Sequence, residues 1–248
     1  MNYRKTKLVG LSLFSNIGVA EAMLSEINIE IAVANEIDKK RAQFYKNLYP
    51  KTNMICGDIR DDETYNAIIS SSINSKVDFI IATPPCQGMS TIGNKDPLDA
   101  RNYLIYDAIK IIDKIKPKYI ILENIPQQLN TYIIVNNKKI LIPNYIKQSL
   151  EEDYIIKESV VNMADYGVPQ IRKRSIFLLS RKNTSRLFSF LNTNELSEHI
   201  NLFKSIGGLP SIDPLIQGFS IEEQLQLFPS FLKKKEQGLL ISKWHRPP

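Results

Sequence analysis

The chain has 248 residues, 43% hydrophobic and 23% charged, enough for one α/β core with a small appendage. Its 32 Lys and Arg against 26 Asp and Glu give a net charge of +6, a mild excess that suits a polyanionic partner without requiring one. Two cysteines, Cys56 and Cys86, argue against a disulfide framework, and no apolar run reaches the roughly 20 residues a membrane helix needs, so a soluble, cytoplasmic protein is expected. The basic start Met1-Asn2-Tyr3-Arg4-Lys5-Thr6-Lys7 is not followed by the apolar core and cleavage site of a signal peptide.

Residues 7–14 read as a first strand, followed by a turn, Ser15-Asn16-Ile17-Gly18, and a helix over 19–24. Strand, tight turn and helix N-terminus hold a nucleotide-like cofactor against backbone N–H groups. Gly18 is the one glycine of the turn, and Asn16 is a residue type that tolerates left-handed backbone. A second strand over 30–35 ends in Glu36-Ile37-Asp38. An acid about 20 residues after the turn is where a ribose hydroxyl pair is held. Asp38 caps the helix over 39–48, which leaves Glu36 free. A short third strand over 53–56 ends in Gly57-Asp58-Ile59, where Asp58 reads equally as a ligand-holding acid and as a cap for a helix over 63–72. Cys56 is expected as a small core residue.

Residues 77–82 read as a buried fourth strand that must stop at Pro84-Pro85, because neither proline donates to a ladder. Cys86 is thereby delivered at a strand's C-terminal end, where open α/β sheets bind ligands, and Gly88 lets the backbone leave tightly. A thiol attacks only as thiolate, so an inert buried cysteine is the alternative. Residues 89–93 hold no arginine to cradle a phosphate, which counts against a phosphatase. The polar loop over 91–100 is a candidate lid. A helix from Arg101 to about 115 follows, with Asp99 as a possible cap.

A fifth strand over 119–122 ends in Glu123-Asn124-Ile125-Pro126. A carboxylate where a buried strand meets a pocket is costly unless used or paired. Burial would raise its pKa and make it a proton donor near neutrality; pairing with an arginine or capping the next helix is the alternative. Two apolar runs around Asn136-Asn137 predict a hairpin, to which no chemistry is assigned. A helix over 143–152 and a strand over 154–161 lead to Gly167-Val168-Pro169-Gln170-Ile171-Arg172-Lys173-Arg174 and a strand over 175–180. In extended chain Gln170, Arg172 and Arg174 face one way, presenting an amide and two guanidiniums to an anion or a carbonyl. A solvated basic edge strand is the alternative. Beyond residue 182 no strong α/β unit recurs, and Lys233-Lys234-Lys235 reads as a solvated basic face.

These elements predict an α/β fold with a doubly wound, mostly parallel sheet whose switch point lies between the first and fourth strands. Residues 1–182 are expected as a catalytic domain and 183–248 as a C-terminal extension.

Pro84-Pro85-Cys86-Gln87-Gly88-Met89-Ser90 resembles the catalytic loop of the DNA cytosine-5 methyltransferases. Phe14-Ser15-Asn16-Ile17-Gly18-Val19 resembles that family's Phe-x-Gly-x-Gly-Gly, with its first and third glycines replaced. Asp99-Ala100-Arg101-Asn102-Tyr103-Leu104 resembles its Asp-x-Arg-x-x-Leu, Glu123-Asn124-Ile125 its Glu-Asn-Val, and residues 167–174 its Gly-x-Pro-Gln-x-Arg-x-Arg. The likeness runs in the family's order over residues 7 to about 181.

The resemblance implies a Rossmann-like methyltransferase using S-adenosyl-L-methionine, held by Phe14, Asn16, Gly18, Glu36, Ile37, Asp58, Ile59, Pro85 and Leu104. It implies double-stranded DNA as substrate, within a restriction-modification system. Cys86, Glu123 and Arg172 would be catalytic, and Gln87, Ser90, Gln170 and Arg174 would contact DNA. No metal is implied. The family's recognition region and closing segments are not found in 183–248, which implies a second polypeptide carrying them and makes this chain a catalytic subunit, with truncation as the rival. A non-catalytic cofactor- or DNA-binding subunit and a tRNA cytosine-5 methyltransferase remain as alternatives.

Overall fold

The computed structural model describes residues 7–89, 99–185, 187–190 and 199–206. Five runs of aliphatic and β-branched residues form parallel strands: β1 (Leu8–Leu13), β2 (Ile29–Glu36), β3 (Asn53–Cys56), β4 (Phe79–Ala82) and β5 (Tyr119–Asn124). All four residues of β4 are buried, because both faces of the sheet are covered. Helix α1 (Lys39–Leu48) starts at Asp38, whose side chain accepts from the Lys40 and Arg41 amides. Helices α2 (Asp62–Asn74) and α3 (Leu104–Ile115) follow β3 and β4. The hairpin β6 (Tyr132–Val135) and β7 (Lys138–Leu141), helix α4 (Ile142–Leu150), β8 (Tyr154–Asn162) and β9 (Lys173–Arg181) complete the α/β unit.

The main sheet runs β3-β2-β1-β4-β5-β9-β8, with β9 antiparallel to both its neighbours. The strand order reverses between β1 and β4, which opens a crevice at the carboxyl ends of those strands. On one face, Leu11, Val33, Ile80 and Ile120 pack with Ile68 of α2 and Ile105, Ile111 and Ile112 of α3. On the other, Ile31, Phe79 and Ile81 pack with Ala42 and Tyr45 of α1. Strands β4 and β5 contribute side chains alternately to the two cores, and on β2 a bulge between Ile31 and Val33 shifts the alternation by one residue. Contacts divide the chain into two compact units, Met1–His199 and Ile200–Pro248; the described part of the second holds the short helix α5 (Leu202–Ile206).

Three local expectations are corrected. The helix over 19–24 does not form: the segment is a series of turns followed by a single 3-10 turn at Leu24–Ile27. A helix there would need an apolar face to bury, yet Val19, Met23 and Ile27 are solvent-exposed and the buried side chain is that of Glu21. Cys56 is exposed rather than in the core, because Met54 takes the buried position on the edge strand β3. Regular pairing of the last strand starts at Lys173, so Gln170 and Arg172 do not alternate as strand residues. Gly167 is left-handed (φ 83°) and the Gln170 amide turns back onto the Val168 carbonyl at 2.7 Å, which keeps that stretch irregular. The expected lid, apart from residues 99–100, and Lys233-Lys234-Lys235 lie outside the described residues.

Candidate active site

The loop after β4 is fixed by backbone groups that the prolines leave free to accept. Asn124, 2% exposed at the end of β5, donates from Nδ2 to the Pro84 carbonyl at 3.0 Å, while its Oδ1 accepts from the Ile125 amide at 2.8 Å. The Met89 amide closes a turn on the Cys86 carbonyl at 3.0 Å. Cys86 is half-buried, and Gly88 lies so close to the next segment that a Cβ there would sit 2.4 Å from Asn102 Oδ1. The thiol thus stands on a short loop pinned on both sides.

Glu123 is the last residue but one of β5, and β9 runs antiparallel beside it. That register brings Arg174 next to the carboxylate: Arg174 Nε lies 2.8 Å from Glu123 Oε1, with the two side chains 16% and 28% exposed. Of the readings open for Glu123 in the sequence, the arginine pair is observed, through one carboxyl oxygen, and the next helical turn has Ile125 at its N-cap instead. The Arg172 amide donates to Asn162 Oδ1 at 3.1 Å, which anchors the irregular segment, and Arg172 lines the same cavity.

At the other end of the crevice the turn after β1 has left-handed backbone at Phe14 (φ 59°), Asn16 (φ 52°) and Gly18 (φ 86°). A bulky residue there is strained by roughly 1–3 kcal/mol, a cost that persists where surrounding structure enforces it. Here the Phe14 carbonyl accepts from Thr83 Oγ1 at 3.2 Å, and Ser15 is bonded to the Asn35 carbonyl through both its amide and its hydroxyl. Glu36, 5% exposed, accepts from the Asn16 amide on one oxygen and the Asp38 amide on the other, both at 2.9 Å. Its carboxylate joins the two strand ends and keeps lone pairs for a further donor. Asp58 does not cap α2, whose N-cap is Asp61. Instead the Arg60 guanidinium grips both Asp58 oxygens and holds that carboxyl below its ordinary range. Asp99 and Arg101 repeat this arrangement, with Asp99 drawn down to about 2 by the hydrogen bonds from Arg101.

One cavity of about 530 Å³ connects these parts. Cys86, Glu123 and Arg172 all line it. So do Phe14, Asn16, Glu36, Ile37, Asp58, Ile59, Pro85 and Leu104, together with Gln87 and Arg174. Gly18 and Gln170 are not in the wall, and Ser90 lies outside the described residues. Gly18 serves the turn from below: Tyr49 Oη donates to its carbonyl at 2.6 Å, and a Cβ would meet the Tyr49 ring at 2.2 Å. Sequence reasoning missed Arg41 and Arg60, which also line the cavity. Arg41 had a signal, its place in the first turn of a helix that starts beside Glu36. Arg60 had only its spacing from Asp58.

The model of the C-5 cytosine-specific DNA methylase family matches residues 8–236. The chain belongs to this family. Among curated relatives, type II methyltransferase M1.HgaI of Avibacterium volantium is 42% identical over 214 residues, covering 84% of this chain and 58% of that protein. Type II methyltransferase M.NgoPII of Neisseria gonorrhoeae is 33% identical over 189 residues, covering 76% of this chain and 52% of that one. The chain therefore spans little more than half the length of these relatives. An Escherichia coli prophage protein, solved as a candidate DNA modification methyltransferase, shares the fold with a TM-score of 0.65 at 24% identity, over 83% of this chain and 56% of that one.

The cavity of this family member has two chemically distinct ends. One carries apolar surfaces, Phe14, Ile37, Ile59 and Leu104, beside two carboxylates, Glu36 and Asp58, which suits a nucleoside with hydroxyl and amino donors. The other carries a thiol, a carboxylate and two guanidiniums, which suits addition to an electron-poor ring. Among the described residues no helix is long and apolar enough to cross a membrane.

Proposed function

We propose that this chain is the catalytic part of a DNA cytosine-5 methyltransferase of a restriction-modification system, acting in the cytoplasm on double-stranded DNA. The observation that carries the reading is that Cys86 and Glu123, from two adjacent strand ends, line one cavity with the acids Glu36 and Asp58. Glu36 would accept from ribose hydroxyls and Asp58 from the adenine amino group of S-adenosyl-L-methionine, with Ile59 and Leu104 against the ring. Bound there, the cofactor supplies an electrophilic methyl group. The target carbon is shielded in a duplex, so the cytosine must be extruded, at a cost of roughly a few kcal/mol.

The Cys86 thiolate adds to C6 of the extruded ring, and the electron pair moves toward C5 as a proton taken up by Glu123 on the oxygen that Arg174 does not hold passes to N3. Once C5 has gained the methyl group, a water takes the C5 proton as the thiolate is expelled, and N3 returns its proton to Glu123, which restores the aromatic ring. Arg172 is the candidate for the base carbonyl. Arg174, engaged on Glu123, is first a positioning residue for that carboxylate, and only then a DNA contact. Gln87 is the loop residue facing the DNA. A second polypeptide would supply the recognition region and the closing segments.

The test is transfer of a labelled methyl group from S-adenosyl-L-methionine to duplex DNA, with residues 1–248 alone and with the product of the adjoining reading frame. Transfer that is lost in Cys86→Ser while cofactor binding persists supports the assignment. Undiminished transfer by Cys86→Ser removes it. Full activity of residues 1–248 unaided removes the second polypeptide.

A further inference from the structure

The hairpin between β5 and α4 has no role in the chemistry above, yet its construction is specific. Between Glu123 and Glu151 the sequence contains no Asp or Glu, while Lys138 and Lys139 stand at the hairpin's tip. The turn residues Asn136 and Asn137 are both left-handed (φ 51° and 61°), the tight two-residue connection that fixes strand register. Ile133 and Ile140 pair across the strands and pack into the main core, so the hairpin is anchored rather than loose. The opposite face carries Tyr132 and Ile134, 41% and 47% exposed, with Lys139 paired across from Ile134 and its Nζ 4.4 Å from the Tyr132 ring. Lys147, further along, is neutralised by Glu158, whereas Lys138 and Lys139 have no carboxylate partner among the described residues.

The hairpin also has a definite place. It leaves the chain just after Ile125, which lines the cavity, and its Ile134 amide donates to Tyr103 Oη at 3.3 Å. Tyr103 lies between Arg101 and Leu104, both in the cavity wall. The hairpin is therefore tied to the segment that carries Arg101 and Leu104 into the cavity wall. The outward face thus joins two ammonium groups without a carboxylate partner among the described residues to an aromatic and an aliphatic side chain. Lysines beside apolar side chains match a sugar–phosphate chain, which offers anions and carbon surface together.

We propose that this hairpin is a DNA-backbone contact: Lys138 and Lys139 neutralise phosphates flanking the extruded base, while Tyr132 and Ile134 pack against the adjoining sugars. The proposal rests on duplex DNA being the substrate. Its signature is electrostatic, because each neutralised phosphate contributes about 0.9 to the slope of log affinity against log salt.

The experiment measures binding of a fluorescein-labelled random-sequence DNA duplex across a salt series, using the full chain with whatever polypeptide completes it. The double variant Lys138→Ala/Lys139→Ala should flatten the slope by about 1.8, the sum of two such contacts. Lys138→Arg/Lys139→Arg should keep the wild-type slope, and cofactor binding should be the same in all three proteins. A double-alanine variant with an unchanged slope overturns the proposal while leaving the methyltransferase reading intact if methyl transfer persists. Loss of assembly with the completing polypeptide at an unchanged DNA slope also overturns it, and marks the hairpin as a protein interface. A wild type without salt-dependent DNA binding overturns both.

Discussion

Glu123 and Arg174 show how a single pair can set the character of a site. The carboxylate sits at a strand end where it is partly withdrawn from water, and the guanidinium is delivered by the antiparallel neighbour rather than by chain proximity. Removing one partner would leave a half-buried charge uncompensated and free to take another rotamer. Arg174→Ala is expected to lower turnover on the order of 100-fold with cofactor affinity unchanged, the scale of a small misplacement of a reacting group. Single-turnover methyl transfer checks this, and a loss confined to DNA affinity would instead make Arg174 a phosphate contact. Gly88 makes a second prediction at this scale. Its missing Cβ is the space occupied by Asn102 Oδ1 and the Asp99 side chain, so Gly88→Ala must push the cysteine loop away from them. A destabilisation of about 1–3 kcal/mol is expected from such overpacking, read by thermal or urea unfolding.

At the scale of elements, the turn after β1 is held from behind as well as from the crevice. Glu21 is 4% exposed, beside the hydroxyls of Ser12 and Tyr45, and no cation among the described residues offsets its burial. Burial pushes its carboxyl up from the ordinary 4.5. The unfolded chain then releases this proton at lower pH than the folded one. Stability accordingly falls as pH rises from about 4.5 through the raised value and levels off beyond it. Glu21→Gln should remove that fall, so the variant and wild type should diverge in melting temperature as pH rises toward neutrality, the variant being the more stable. Parallel melting curves across that range would show that Glu21 does not titrate differently in the folded state.

Much of this element-level structure was legible in the sequence. Pro84-Pro85 ended β4, Asp38 capped α1, and Asn136-Asn137 marked the hairpin, because each acts through local backbone chemistry. The helix over 19–24 failed for the opposite reason. Its residues have adequate helix propensity, but whether a short helix forms depends on a packed face, and Val19 and Met23 find none. Cys56 and Gln170 failed similarly, since an edge strand's exposed side and the first paired residue of β9 are settled by neighbouring strands. The Asp58–Arg60 pairing depends on the turn that folds the guanidinium back, which residue spacing alone does not specify.

For the whole molecule, a seven-stranded sheet whose order reverses between β1 and β4 gathers three strand-end acceptor sites and the Cys86 loop along one edge. The two replaced glycines do not disturb this arrangement, because Asn16 takes up the left-handed conformation and Val19 turns outward to solvent. The central claim is that the Cys86 sulfur bonds to a cytosine ring inside this cavity. The most direct measurement uses duplex DNA in which cytosine is replaced by 5-fluorocytosine, incubated with the assembled protein and S-adenosyl-L-methionine. Fluorine at C5 cannot leave as the proton does, so the bond to the sulfur should persist. The account predicts a denaturation-resistant protein–DNA adduct whose linkage maps to Cys86 and which is absent in Cys86→Ser. An enzyme that methylates normal duplex under the same conditions yet forms no adduct, or forms one through another residue, would contradict it.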